Sequence, residues 1–235
     1  MSNPQSVEVA IVDYGLGNLF SVKHACEDAG LAVRITSNGA EILRASAVIL
    51  PGVGAFGDAM ETLARLDLVS VLRDVMASGK PMLGICLGLQ LLMREGHEFG
   101  LHRGLGIIDG EVVRLDESHH GTRRLKVPHV GWNAIRLPSG RSADAWEESL
   151  LNGVPDGTFM YFVHSYYPRP SDPDVVLSTT TYGGGEFCSG LQRDNVFGCQ
   201  FHPERSGWSG LRVYRNLATS LKARVAELGV RKAGS

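Results

Sequence analysis

Cys86 stands between two glycines in Gly84-Ile85-Cys86-Leu87-Gly88-Leu89-Gln90, after the apolar run Pro81-Met82-Leu83 and ahead of Leu91-Leu92-Met93. A strand, a small-residue turn and a helical pattern in that order describe a sharp elbow. Such an elbow lifts its central side chain out of a sheet to a helix N-terminus, as serine is lifted in G-x-S-x-G. A thiol held there is a candidate nucleophile, yet at an ordinary pKa near 8.5 only a few per cent of it is thiolate at pH 7. The helix N-terminus contributes about 2 kcal/mol at best, which lowers a thiol pKa by no more than about 1.5. Cys86 therefore needs an imidazole, and the imidazole needs a third group to orient it.

Of the eight histidines, His202 meets both needs. It follows the strand-like Asn195-Val196-Phe197-Gly198, and Glu204 lies two residues on, past a stiffening proline, able to accept a hydrogen bond from the far ring nitrogen. His164, in Tyr161-Phe162-Val163-His164-Ser165-Tyr166, is the rival, with no carboxylate nearby in the chain. A tetrahedral oxyanion requires aimed N–H donors, each worth roughly 2.7–4 kcal/mol. The Leu87 amide is one by construction of the elbow. The second is expected at Val53 in Gly52-Val53-Gly54, where the glycines permit close approach and peptide rotation.

The elements that must carry these groups follow from periodicity. Strands are expected over residues 7–12, 32–35, 47–50 and 82–85, alternating with helices over 22–29, 58–65, 68–77 and 87–94; Asn18 or Ser21 caps the first helix and Gly30 ends it. Such alternation means βαβ units and a parallel sheet with helices on both faces. Reactive loops then gather at the carboxyl ends of the strands, so Asp13-Tyr14-Gly15, Pro51-Gly52-Val53-Gly54 and Cys86 share one crevice. Beyond residue 104 helical periodicity weakens. Residues 110–115, 159–163 and 175–180 read as strands, and Gly183-Gly184-Gly185 separates two strand-like runs as a hairpin turn does. A last helix over 210–228 presents Leu211, Val213, Tyr214, Leu217, Leu221 and Val225 on one face. The expected fold is α/β: a doubly wound, mainly parallel sheet with helices on both faces and an antiparallel extension in the C-terminal half. No repeat or long linker interrupts it, so residues 1–235 read as a single domain.

Bulk properties exclude several classes. A net charge of −2 gives no basic face for nucleic acid, and no apolar run approaches the roughly 20 residues of a membrane-spanning helix. Residues 1–6 are polar and lead straight into a strand, unlike a secretory signal. Cysteines at 26, 86, 188 and 199, without C-x-x-C spacing, read as reduced thiols of a cytoplasmic protein. Gly15-Leu16-Gly17 lacks the third glycine of a dinucleotide fingerprint because position 20 is Phe20, so a tight turn is expected there. His119-His120, in an expected loop over 116–122, do not make a metal site. Neither metal nor cofactor is expected.

Together, Gly84-x-Cys86-x-Gly88-x-Gln90, His202-Pro203-Glu204 and Pro51-Gly52-Val53-Gly54 resemble the class I, triad-type glutamine amidotransferases. Asp13-Tyr14-Gly15-x-Gly17-Asn18, Pro128-His129-x-Gly131-Trp132-Asn133 and Tyr161-Phe162-Val163-His164-Ser165-Tyr166 narrow the resemblance to the glutaminase subunits of imidazole glycerol phosphate synthases. It implies hydrolysis of L-glutamine through a thioester on Cys86, with ammonia passed to a (β/α)8-barrel cyclase partner in a heterodimer. That cyclase makes imidazole glycerol phosphate and aminoimidazole carboxamide ribotide in histidine biosynthesis. By motif position, Gln90 and the backbone at Ser165 and Tyr166 hold the glutamine α-amino and carboxylate groups, and Gly52 lines the same pocket. Leu16, Asn18, Trp132, Tyr161 and Arg205 face the partner. Arg205 stands where the family's His-Pro-Glu usually continues with Lys, and a guanidinium is not a compact point charge. The rotatable Gly52-Val53-Gly54 peptide suggests a glutaminase nearly idle until its partner is bound and loaded. Other readings are a triad amidotransferase serving anthranilate, aminodeoxychorismate, guanylate or carbamoyl phosphate synthesis, a Cys-dependent peptidase or stress protein on a similar sheet, and an inert binding subunit.

Overall fold

In β1 (Glu8–Val12), β3 (Ala47–Gly52) and β4 (Met82–Cys86) nearly every residue is buried, whichever way its side chain points. Val9, Ile11, Ala47, Ile49, Leu83 and Ile85 enter one apolar layer, while Ala10, Val12, Val48, Leu50 and Met82 enter the opposite one. Strands covered on both faces are those of a parallel sheet with layers above and below. The computed structural model describes residues 7–116, 125–142 and 144–233. The His119-His120 pair and residues 1–6 lie outside that description.

Up to the elbow the chain runs β1, α1 (Leu19–Asp28), β2 (Ala32–Thr36), α2 (Gly39–Arg44), β3, α3 (Phe56–Arg65), α4 (Leu68–Ala77), β4 and α5 (Leu87–Leu91). It continues through β5 (Met93–Gly96), β6 (His102–Arg103), β7 (Ile108–Arg114), β8 (His129–Ala134), β9 (Phe159–His164) and β10 (Tyr166–Pro170). The last elements are β11 (Val176–Tyr182), β12 (Gly185–Arg193), β13 (Val196–Cys199) and α6 (Gly207–Ala233). The central sheet has seven strands in the order β11-β12-β13-β4-β3-β1-β2. Its members from β2 to β13 are parallel, and β12 and β11 extend it antiparallel beyond β13. The α/β class, the parallel sheet and the antiparallel edge are as the sequence predicts.

Three features differ from expectation. The helix after the elbow ends at Leu91, not near residue 94, because the segment at 105–107 captures its carbonyls: Leu105, Ile107 and Gly106 amides donate to Leu91, Leu92 and Met93 oxygens at 2.8, 2.9 and 3.1 Å. Met93–Gly96 leaves as a strand instead. The C-terminal half is also more than an extension of one sheet, since β10-β7-β5-β6 form a second sheet and β8-β9 a third. Finally, α2 is a short helix where no element is expected from periodicity; Asn38 caps it by accepting from the Ala40 and Glu41 amides at 2.9 and 3.2 Å.

Candidate active site

The elbow is strained and held by close packing. Cys86 has φ 55° and ψ −110°, a conformation that costs a non-glycine residue about 1–3 kcal/mol and persists only where its surroundings enforce it. Gly88 supplies the enforcement: a Cβ there would lie 1.7 Å from the Leu50 carbonyl oxygen, so only glycine lets α5 cross β3 this closely. With five residues, α5 adds little macrodipole at the thiol.

That imidazole arrives by register. β13 runs parallel to β4 with Cys199 opposite Ile85, so the chain leaving β13 passes alongside Cys86. His202 is then clamped through its backbone. Its amide donates to the Tyr161 carbonyl at 2.9 Å, and its own carbonyl accepts from Ser206 Oγ at 2.7 Å. His202 Nδ1 lies 2.8 Å from Glu204 Oε1, with side chains 5% and 1% exposed. A carboxylate accepts, so Nδ1 donates and Nε2 is left as the basic nitrogen; it is buried without a hydrogen bond at ordinary distance. Burial opposes protonation of His202, but the charges of Cys86 and Glu204 outweigh it and push the imidazolium up to about 10. Glu204 Oε2 and Tyr214 Oη are both buried without a close hydrogen bond, and the hydroxyl lies within electrostatic reach of the carboxylate. The rival His164 is engaged elsewhere, with Nδ1 2.9 Å from the Tyr166 carbonyl and Nε2 3.1 Å from His129.

A pocket of about 270 Å³ opens over the thiol, lined by Val53, Gly54, Cys86, Leu87, Gln90, Glu98, Pro128 and residues 163–166. Its volume suits one amino acid better than a drug-sized ligand at about 300–1,000 Å³. The structure thus brings Cys86, Leu87, Val53, Gln90, Ser165 and Tyr166 together with His202 and Glu204 behind them. Gly52 sits one step back, paired with Cys86 in the β3–β4 register. A Cβ on it would lie 2.4 Å from Tyr14 Oη, which donates to the Pro51 carbonyl at 2.8 Å.

A family description, glutamine amidotransferase class-I, matches residues 10–217. Imidazole glycerol phosphate synthase subunit HisH of Rhodopirellula baltica is 48% identical, over 90% of this chain and 97% of that one. The subunit of the same name from Aquifex aeolicus is 46% identical over 89% and 95%. The chain belongs to the HisH family of class I glutamine amidotransferases. Solved structures agree on the fold: a putative GMP synthase protein from Thermoplasma acidophilum has TM-score 0.67 at 17% identity, covering 97% of this chain and 99% of that one. PurLQS from Thermotoga maritima has TM-score 0.67 at 18% identity, covering 92% and 100%.

Two residues of this amidotransferase, Gln200 and Glu98, escaped the motif reading. Gln200 is fully buried; its Oε1 accepts from Gln90 Nε2 at 3.1 Å and its Nε2 reaches Cys86 Sγ at 3.6 Å. The available signal was its position two residues before His202, in the segment leaving β13. Gln90 Nε2 also donates to the Tyr166 carbonyl at 2.8 Å, so both its hydrogens are committed and its Oε1 remains to accept from a ligand. Glu98 comes from the loop after β5, where it accepts from the Phe56 amide at 2.8 Å and so caps α3.

Of the residues predicted to face a partner, three form one cluster. Trp132 and Tyr161 pair across β8 and β9 with ring centroids 6.1 Å apart, and the Arg205 guanidinium lies 4.6 Å over the Tyr161 ring. Trp132 and the nearby Val130 and Phe159 are exposed. Leu16 packs partly into the core, and Asn18, rather than Ser21, caps α1 by accepting from the Ser21 amide at 3.4 Å. Among the described residues the one grouping of metal-ligand types is Glu95, His97 and Glu111, none of which lines the pocket, and Glu111 is already paired with His97 at 2.7 Å and Arg169 at 2.6 Å.

Proposed function

We propose that residues 1–235 form one amidotransferase domain acting as the glutaminase subunit of imidazole glycerol phosphate synthase, which serves histidine biosynthesis. The observation that carries the chemistry is the buried 2.8 Å bond from His202 to Glu204, which leaves Nε2 as the base beside a thiol at the floor of an amino-acid-sized pocket. His202 takes the Cys86 proton, and the thiolate attacks the glutamine amide carbon. The Leu87 and Val53 amides receive the oxyanion, and the imidazolium protonates the departing nitrogen as ammonia. Water activated by the same imidazole then cleaves the thioester and releases glutamate. Gln90 Oε1 and the backbone at Ser165 and Tyr166 hold the α-ammonium and α-carboxylate, with Gly52 keeping the loop close.

The chain works as one subunit of a complex, and its partner is a (β/α)8-barrel cyclase that consumes the ammonia in a heterodimer. The Trp132–Tyr161–Arg205 cluster, exposed at Trp132 and Arg205, supports a docking face there, and Leu16 and Asn18 lie in the loop between β1 and α1. Arg205 stacks on Tyr161, so its charge is presented flat rather than as a point. A cytoplasmic location accords with four free, buried cysteines. The loop holding Val53 supports a glutaminase gated by that partner: Gly54 has φ 113° and Val53 is 43% exposed, so little packing holds the peptide.

Glutamine turnover measured with the chain alone, with the cyclase, and with the cyclase and its ligand tests both parts. Turnover should be low alone and rise strongly in the loaded complex. High turnover alone would remove the gating, and none under any condition would remove the glutaminase. Stimulation by an anthranilate- or aminodeoxychorismate-type synthase component instead of the cyclase would move the chain to another triad amidotransferase.

A further inference from the structure

Two histidines that the triad does not use are buried at the pocket, His164 in its lining and His129 beside it. His129 on β8 and His164 at the end of β9 are register partners, and His129 Nδ1 lies 3.1 Å from His164 Nε2. Each ring is engaged at its other nitrogen as well. His164 Nδ1 lies 2.9 Å from the Tyr166 carbonyl oxygen, and His129 Nε2 lies 3.4 Å from Asn133 Nδ2.

These partners fix every proton. A carbonyl only accepts, so His164 Nδ1 carries the hydrogen, and Nε2 of that neutral ring is an acceptor. His129 must then donate from Nδ1 and accept at Nε2, which the Asn133 amide satisfies. Asn133 is oriented in turn, since its Nδ2 also donates to the Thr181 carbonyl at 2.9 Å and its Oδ1 accepts from the Ala134 amide at 2.8 Å. Burial pushes His129 down to about 4; burial, with the charges of His129 and His202, pushes His164 down to about 3, against the Tyr166 bond. Both rings are thus neutral near pH 7. The line does not end at Tyr166. The same carbonyl accepts from Gln90 Nε2 at 2.8 Å, and Gln90 leads through Gln200 to the thiol.

We propose that His129 and His164 are positioning residues for glutamine, a neutral, one-directional pair that holds the Tyr166 carbonyl and, through it, Gln90 where the substrate's α-amino and carboxylate groups are received; this rests on the glutaminase reading of the pocket. A tautomer flip at His164 would set two acceptors against each other and displace the carbonyl. The pair also ties the pocket to the strand bearing Trp132, because His129, Trp132 and Asn133 all lie on β8.

The competing role is packing, since His129 stacks on Tyr182 with centroids 4.0 Å apart and on Phe162 at 5.1 Å. Two substitutions separate them. His129→Phe keeps the stacked ring and removes the donor, whereas His129→Asn keeps a donor near the Nδ1 position and loses the ring. In the complex with the cyclase, Phe should raise the KM for glutamine about tenfold with kcat within about threefold of wild type, and Asn should hold KM within about threefold. The reverse order, or no change with either, overturns the proposal. Nitrogen-15 NMR of the imidazoles in the unbound chain reads the pair without turnover. Nδ1–H in both rings near pH 7 is expected, and Nε2–H in either ring overturns it. Nδ1–H tautomers in a wild-type protein that turns over no glutamine would instead sink the glutaminase reading, and the substrate-positioning role with it.

Discussion

Replacing Glu204 with Gln tests the electrostatic core of the site with little change in shape. The carboxylate is 1% exposed and bonded to His202 at 2.8 Å, so its charge is felt almost unscreened by water. In Glu204→Gln the amide oxygen can keep the bond from Nδ1, and the new NH2 group takes the place of Oε2 near Tyr214 Oη, which can accept from it. Folding should therefore survive, and what disappears is the stabilisation of the imidazolium. A hydrogen bond to a charged group is worth about 1.5–3 kcal/mol net, or about 10–150-fold in rate. If the amide turns over and selects the wrong tautomer, the loss approaches the roughly 10⁴-fold seen when a serine triad's carboxylate is made an amide. We expect kcat/KM for glutamine, measured in the complex with the cyclase, to fall between those limits. The sign of the pH effect is also set. Wild-type His202 is held up to about 10 by Cys86 and Glu204 against burial, so removing one anion lowers it. The alkaline limb of the profile then moves to lower pH, because the acid that protonates the departing nitrogen is lost sooner. A folded variant retaining kcat/KM within about threefold, with an unmoved alkaline limb, would refute the reasoning.

Cys86→Ala should abolish glutamine hydrolysis while sparing the ammonia-driven reaction of the cyclase; NMR titration should also find His202 below its wild-type value, because the thiolate's contribution is gone. Retained hydrolysis or an unmoved His202 would count against the assignment. Gly52→Ala places a Cβ 2.4 Å from Tyr14 Oη and 2.9 Å from Leu87 Cβ, so thermal unfolding should show a loss of about 1–3 kcal/mol. Tyr14→Phe in the same chain should recover part of it; strictly additive losses would mean that the two positions do not collide. Gln200→Leu leaves Gln90 with one unmet hydrogen in a buried site, a cost of about 1–3 kcal/mol, so kcat/KM for glutamine should fall about 5–150-fold, and steady-state kinetics at wild-type values would exclude a role for Gln200.

The parts of the site legible in the sequence are those encoded within a few neighbouring residues. The elbow is a local steric pattern, and His202 with Glu204 is a local geometric one, base and orienter separated by a single proline. Strand and helix alternation placed the elbow and the 51–54 loop at one sheet edge, and a further strand-like run ahead of His202 carries it there. Gln200 was less legible, because its importance comes from the parallel register of β13 and β4, which sets it against both Gln90 and the thiol. Glu98 caps a helix 42 residues away in the chain, a pairing with no local trace. The premature end of α5 has the same origin: apolar residues continue the helical pattern, but donors at 105–107 outcompete the next turn for its carbonyls.

The sequence by itself determined the candidate nucleophile, base and orienting carboxylate and the βαβ order that delivers Cys86, since each depends on residue type and short spacing. Tertiary structure decided how those groups are biased. Burial set against two neighbouring charges keeps the His202 imidazolium up to about 10, and burial without a carboxylate keeps the His129–His164 pair neutral. The same side chain takes opposite protonation states in one molecule because desolvation and partner charge belong to the folded surroundings, which no short stretch of chain specifies.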